Sequence, residues 1–173
     1  RYPRRPLAAV RYLVIHHTGA GPAVGAADVA AEHVEVNGWP GIGYHYVIDR
    51  SGAVAKTQDL VVEAYHARQF NRAAVGIALA GDFASDVPAP AQLDAAATLL
   101  ANLLRDLGLP TEALRGHREL VPTHCPGETF SALWKPRLLR LVEARLASPP
   151  VPPQGAPRAS PPAAVRGSGR RVQ

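Results

Sequence analysis

A single cysteine, Cys125, is all the thiol chemistry this 173-residue chain carries, so no internal disulfide can staple it. No apolar run approaches the ~18 to 20 residues that a membrane-spanning helix needs, and no segment repeats along the chain. The opening stretch Arg1-Tyr2-Pro3-Arg4-Arg5-Pro6 is basic, but only four apolar residues follow before Arg11, which is not a signal peptide. No initiator methionine stands at the start either, so a trimmed or mature form, once preceded by an export signal, is the expectation. Low hydrophobicity is not among the shortages. At 47% hydrophobic and 19% charged residues the chain can bury a sizeable core, which rules out global disorder. Its length suits one domain of ordinary size.

The net charge of +5 belongs to the ends. Three of the 19 basic residues are Arg1, Arg4 and Arg5, and four are Arg158, Arg166, Arg170 and Arg171. The body between keeps 12 against all 14 acids. A nucleic-acid-binding face on that body has little support, whereas arginine-bearing flexible ends could rest on an anionic polymer. From Ser148 the composition falls to Pro, Ala, Gly, Ser and Arg with no periodic apolar face. The organisation expected is therefore a basic segment at 1–10, a folded domain at 11–147, and a Pro-rich tail or linker at 148–173 that tethers a further wall-binding module.

Within the body, Tyr12-Leu13-Val14-Ile15-His16 is a short β-branched run closed by glycines, which predicts a strand. Further strands are expected at 44–49, 53–57, 75–80 and 113–116. Apolar spacing predicts helices over 26–36, over 93–107 after Pro90 and before Gly108, and through Leu138, Leu141, Val142 and Leu146. The order describes an α/β fold: a central mixed β-sheet flanked by helices.

Three potential metal ligands fall where strands give way to loops: His16, His117 and Cys125. Rigid strand ends and adaptable loops let side chains converge, and prolines around Cys125 favour a loop doubling back toward His117. Two imidazoles and a thiolate suit zinc and leave a fourth position for water, although spacing alone also fits hydrogen-bonded structural histidines.

Four segments add specificity: Tyr12-Leu-Val-Ile-His-His-Thr18, Gly41-Ile-Gly-Tyr-His-Tyr-Val-Ile-Asp-Arg-Ser-Gly52, Asn71-Arg-Ala-Ala-Val-Gly-Ile-Ala-Leu-Ala-Gly-Asp-Phe83, and Gly116-His-Arg-Glu-Leu-Val-Pro-Thr-His-Cys-Pro-Gly127. In this order they resemble the zinc-dependent N-acetylmuramoyl-L-alanine amidases of the type-2 family, which includes phage amidases and animal peptidoglycan recognition proteins. The resemblance covers nearly all of 11–147 and implies that fold. It implies one Zn2+ per chain on His16, His117 and Cys125, a catalytic Tyr44, and peptidoglycan or muropeptides as substrate. Thr123 stands where phage enzymes carry lysine and many recognition-protein amidases carry threonine, which implies a hydroxyl that orients rather than a cation. His66 matches a family histidine that faces the groove, which implies substrate binding. An extracellular or cell-wall location and a monomer are the accompanying expectations.

Other residues carry two readings each. Trp39 stacks on a sugar ring or packs in the core; Asn71 contacts muropeptide or caps a turn; His45 alternates away from Tyr44 and serves substrate or structure. These three join His66 as candidate substrate contacts. His17 points away from His16, Tyr46 packs, Glu119 forms a surface salt bridge, and His33 and His124 are read as surface residues. Two other functions compete with hydrolysis by a zinc-activated water. One is a non-catalytic peptidoglycan-binding module, against which the intact ligand trio and Tyr44 stand. The other is a Cys125 nucleophile, disfavoured because Pro126-Gly127 follows it instead of a helix whose dipole would lower its pKa.

Overall fold

The computed structural model describes residues 1–21 and 23–148, and the 148–173 tail lies outside the described residues beyond Ser148. Five strands form one mixed sheet: β1 (Tyr12–His17), β2 (Tyr46–Ile48), β3 (Val54–Lys56), β4 (Ala74–Leu79) and β5 (Leu114–Gly116). Their spatial order is β3-β2-β4-β1-β5, with β1 parallel to β4 and β5, β2 parallel to β4, and β3 the antiparallel edge. Helices α1 (Ala26–Ala31), α2 (Pro90–Leu107) and α3 (Lys135–Ala147) complete it. The α/β reading holds. Among the described residues no helix is long and apolar enough to cross a membrane.

The two faces of the sheet differ by residue size. On β4, Val75, Ile77 and Leu79 join Leu13 and Ile15 of β1 in one core with α2, α3, Phe130 and Trp134. The intervening Ala74, Gly76 and Ala78 are buried as well, yet they point the other way with little side chain of their own. That face has room for large rings. Helix α2 is set by Pro90 in its first turn and by Gly108, whose φ of 62° makes the left-handed stop only glycine adopts freely. Gln92 is fully buried there, its Nε2 donating to the carbonyls of Ile48 and Ala80 and so tying α2 to strand ends on the sheet.

Three expectations need correction. Residues 1–10 are no loose basic end: Tyr2, Arg5 and Val10 are buried, and Arg5 donates to the carbonyls of Leu60, Asn71 and Ala74. A guanidinium with five donors satisfies a loop whose carbonyls find no strand partner, a use of arginine that charge counting does not foresee. The helix expected over 26–36 is α-helical only to Ala31 and widens to a π turn over Glu32–Val36. That turn buries His33, expected at the surface, whose Nδ1 accepts from Gly43 N–H at 2.9 Å. Finally, the strand expected from 44 begins at Tyr46, which leaves Tyr44 and His45 in the loop leading into β2.

Candidate metal centre and its cleft

His16 sits near the end of β1, on the small-residue face, and its ring is almost wholly buried. His117 follows β5 directly, so the β1–β5 pairing at Ile15 and Gly116 brings the two imidazoles together, centroids 4.5 Å apart. The loop after His117 does double back: Arg118 N–H donates to Cys125 O at 2.9 Å. Cys125 Sγ thereby accepts from His17 N–H at 3.4 Å and lies 3.6 Å from His16 Nδ1. One ligand atom from each of His16, His117 and Cys125 falls within 4.8 Å of the others.

The set fits a zinc ion. Bonds of ~2.0 Å to nitrogen and ~2.3 Å to sulfur at a tetrahedral angle place N and S about 3.5 Å apart, close to the 3.6 Å between His16 Nδ1 and Cys125 Sγ. Nε2 of His117 is buried with no hydrogen-bond partner among the described residues, an arrangement that costs free energy unless a bound group satisfies it. The protonation states agree. Burial holds the His16 imidazole neutral, well below its ordinary range, with the neighbouring histidines reinforcing the effect. Burial and the nearby Arg68 lower His117 to about 4. Burial pushes the Cys125 thiol up to about 12. Without a cation it is therefore a poor nucleophile, whereas a divalent ion deprotonates such a thiol outright.

Beside the trio opens a cleft of about 330 Å3 lined by Trp39, Tyr44, Tyr65, His66, Arg68, Asn71 and His117. Tyr44 packs its ring 5.0 Å from that of His16 and 5.3 Å from His33. Burial raises its phenol pKa, so it remains a protonated donor. Trp39 stands between His33 and Tyr65, at centroid distances of 4.6 and 5.9 Å, and presents its indole to the cleft.

Other candidate residues fall differently. His45 is fully buried: its Nδ1 accepts from Gly76 N–H at 3.0 Å and its Nε2 donates to Val62 O at 2.9 Å. With both nitrogens spent on backbone, it is a structural residue and cannot contact substrate. Asn71 borders the cleft, but its Oδ1 accepts from the amides of His66 and Ala67, which makes it a turn cap. Thr123 lies outside the cleft lining, its Oγ1 accepting from Cys125 N–H at 3.2 Å within the ligand loop. His66 does reach the cleft, although both its ring nitrogens have partners inside the protein. Arg68 went unremarked in the sequence. It lines the cleft with a left-handed φ of 51°, a conformation that no side-chain pattern announces.

Comparison with known proteins gives a consistent picture. The sequence profile described as N-acetylmuramoyl-L-alanine amidase matches residues 6–128. The N-acetylmuramoyl-L-alanine amidase of Sus scrofa is 34% identical over 155 residues, covering 78% of this chain and 26% of the pig protein. The chain thus spans about a quarter of that relative. The endolysin of Enterobacteria phage T3 is 29% identical over 138 residues, covering 76% of this chain and 89% of the phage protein. Among solved structures, the Ph2119 endolysin from a Thermus scotoductus bacteriophage superposes with a TM-score of 0.71 at 28% identity, covering 82% of this chain and 89% of its own. By its sequence profile and its sheet alike, the chain belongs to the type-2 N-acetylmuramoyl-L-alanine amidase family.

Proposed function

We propose that this domain is a zinc-dependent peptidoglycan hydrolase that cleaves the amide joining the lactyl group of N-acetylmuramic acid to L-alanine of the stem peptide. The observation that carries the reading is the convergence of His16, His117 and Cys125 within 4.8 Å next to a cleft lined by Tyr44. Those three side chains would hold one ion. When bound there, zinc supplies a Lewis acid and lowers the pKa of a coordinated water toward ~7.

The protein's own groups account for seating the substrate and for stabilising the charge that develops on the scissile carbonyl. The cleft seats the muropeptide, with Trp39 and Tyr65 offering apolar ring surface and Arg68 a cation for a carboxylate. Tyr44, kept protonated by burial, donates its O–H to the oxygen of the scissile carbonyl as negative charge develops there. Thr123 shapes the loop that carries Cys125, and its hydroxyl hydrogen is left to orient a neighbouring acceptor. An extracellular or cell-wall location is part of this proposal, supported by peptidoglycan as the substrate class.

Digestion of purified sacculi and of soluble muropeptides with the zinc-loaded protein, read by mass, tests the proposal. Release of free stem peptide with about one zinc per chain is the expected result, and Cys125→Ala should lose both the metal and the activity. Binding of wall without release of peptide would instead make the domain a recognition module. Full zinc content in Cys125→Ala would overturn the ligand assignment.

A further inference from the structure

His66 reaches the cleft, yet its hydrogen bonds give it a different task. Its Nε2 lies 3.3 Å from Ala74 O. A backbone carbonyl only accepts, so that nitrogen carries the proton and Nδ1 carries the lone pair. His66 Nδ1 in turn lies 3.0 Å from His16 Nε2, which must then be the protonated nitrogen of His16. The remaining nitrogen, His16 Nδ1, is left with its lone pair facing Cys125 Sγ at 3.6 Å. One fixed carbonyl on β4 thus sets the tautomer of two histidines in series and aims the second at the metal centre.

The surroundings hold this relay in place. Asn71 Oδ1 accepts from His66 N–H at 3.0 Å, which pins the backbone of the residue. The ring lies against Gly76, where an added Cβ would stand 2.7 Å from His66 Cγ, so only glycine at this point of β4 lets the imidazole approach the strand. The His16 and His66 ring planes stand 84° apart with centroids 5.1 Å apart, and the 3.0 Å approach of Nε2 to Nδ1 is the polar contact between them.

We infer that His66 is a positioning residue for the metal centre, fixing His16 in the Nε2–H tautomer so that Nδ1 is presented to the ion. This inference rests on the proposal that the trio binds zinc. A donor or acceptor behind a metal-bound histidine is worth ~10- to 100-fold in metal affinity.

Two variants of the full chain separate hydrogen bonding from packing. His66→Phe keeps a ring and removes the acceptor; His66→Asn keeps an acceptor near the position of Nδ1. Zinc affinity is measured by competition with a chromophoric chelator, and imidazole nitrogen shifts of the zinc-free parent by NMR. The expected result is ~10- to 100-fold weaker zinc binding in His66→Phe, affinity within a few-fold of the parent in His66→Asn, and a protonated Nε2 on His16. Equal losses in both variants, or a parent His16 protonated at Nδ1, would overturn the inference, and the NMR arm decides even where His66→Phe fails to fold. A parent that binds no zinc would sink the metal reading, and the nitrogen shifts would still report the tautomer by themselves.

Discussion

Acidification should destabilise the metal-free protein well above the pH at which carboxylates titrate, and His45 sets the minimum size of the effect. Its ring is fully buried, with the Arg5 guanidinium 3.2 Å from Nε2 and the His66 ring 5.7 Å away. Burial, opposed in part by the Val62 carbonyl, lowers its pKa from 6.5 to about 4. In the unfolded chain the same imidazole takes a proton near pH 6.5. Below that pH the unfolded state binds a proton that the folded state refuses, so the stability present above 6.5 is lost as the pH falls toward 4. With those two values the loss from His45 alone is about 1 kcal/mol at pH 5.5 and about 3 kcal/mol at pH 4.5. His16 and His66, also held neutral by burial, add losses of the same sign. Urea denaturation in the presence of a chelator reads this directly. At a slope of ~2 kcal/mol/M, the midpoint should fall by ~0.5 M or more between pH 8 and 5.5. An unchanged midpoint, or a His45 ring that titrates near 6.5 by NMR in the folded state, would refute the reasoning.

Tyr44→Phe should keep the fold and the zinc, because the ring still packs on His16 and His33, but lose ~10²-fold or more in rate on muropeptides; activity within a few-fold of the parent would reduce Tyr44 to a packing residue. Gly76→Ala should cost ~1–3 kcal/mol by overpacking and weaken zinc retention, since the new Cβ would displace the His66 ring; a raised melting temperature, the ordinary outcome of Gly→Ala in a strand, would contradict that close contact. Arg5→Leu removes the donor to Leu60 O, while Asn71 O keeps the Ala74 N–H and Ala74 O keeps His66 Nε2–H, and should destabilise by about 2 kcal/mol in chemical denaturation, whereas a loss under 1 kcal/mol would show that the segment is held by its apolar residues.

The elements whose signal lies in hydrophobic periodicity are legible in the sequence. Strand β1 and helix α2 fall where the apolar runs and the Pro90–Gly108 punctuation put them. The ligand trio was visible only in part, because convergence of His16, His117 and Cys125 depends on strand order, and no local pattern states that β5 lies beside β1. Arg5 was hidden for a related reason. A basic residue in a basic run looks solvated, and the four backbone oxygens that surround it come from residues more than fifty positions away.

The histidines show why the finer roles resist a sequence reading. In Val75-Gly76-Ile77-Ala78-Leu79 every residue is apolar, so a pattern of polarity sees one buried strand and no distinction between its faces. The information lies in size. Bulky side chains face α2 and α3, and the small ones leave space on the opposite face into which His45 and His66 fit their rings. A histidine seated over glycine and bonded to backbone is oriented by the strand itself, which is how a rigid sheet can govern the protonation pattern of a site built largely from loops. His45 and His66 read alike in sequence, each a histidine next to a tyrosine. Their roles diverge because the partner of one is the Gly76 amide and the partner of the other is His16. The difference between a residue that holds the fold and one that holds the metal centre therefore comes down to which neighbour its second nitrogen meets.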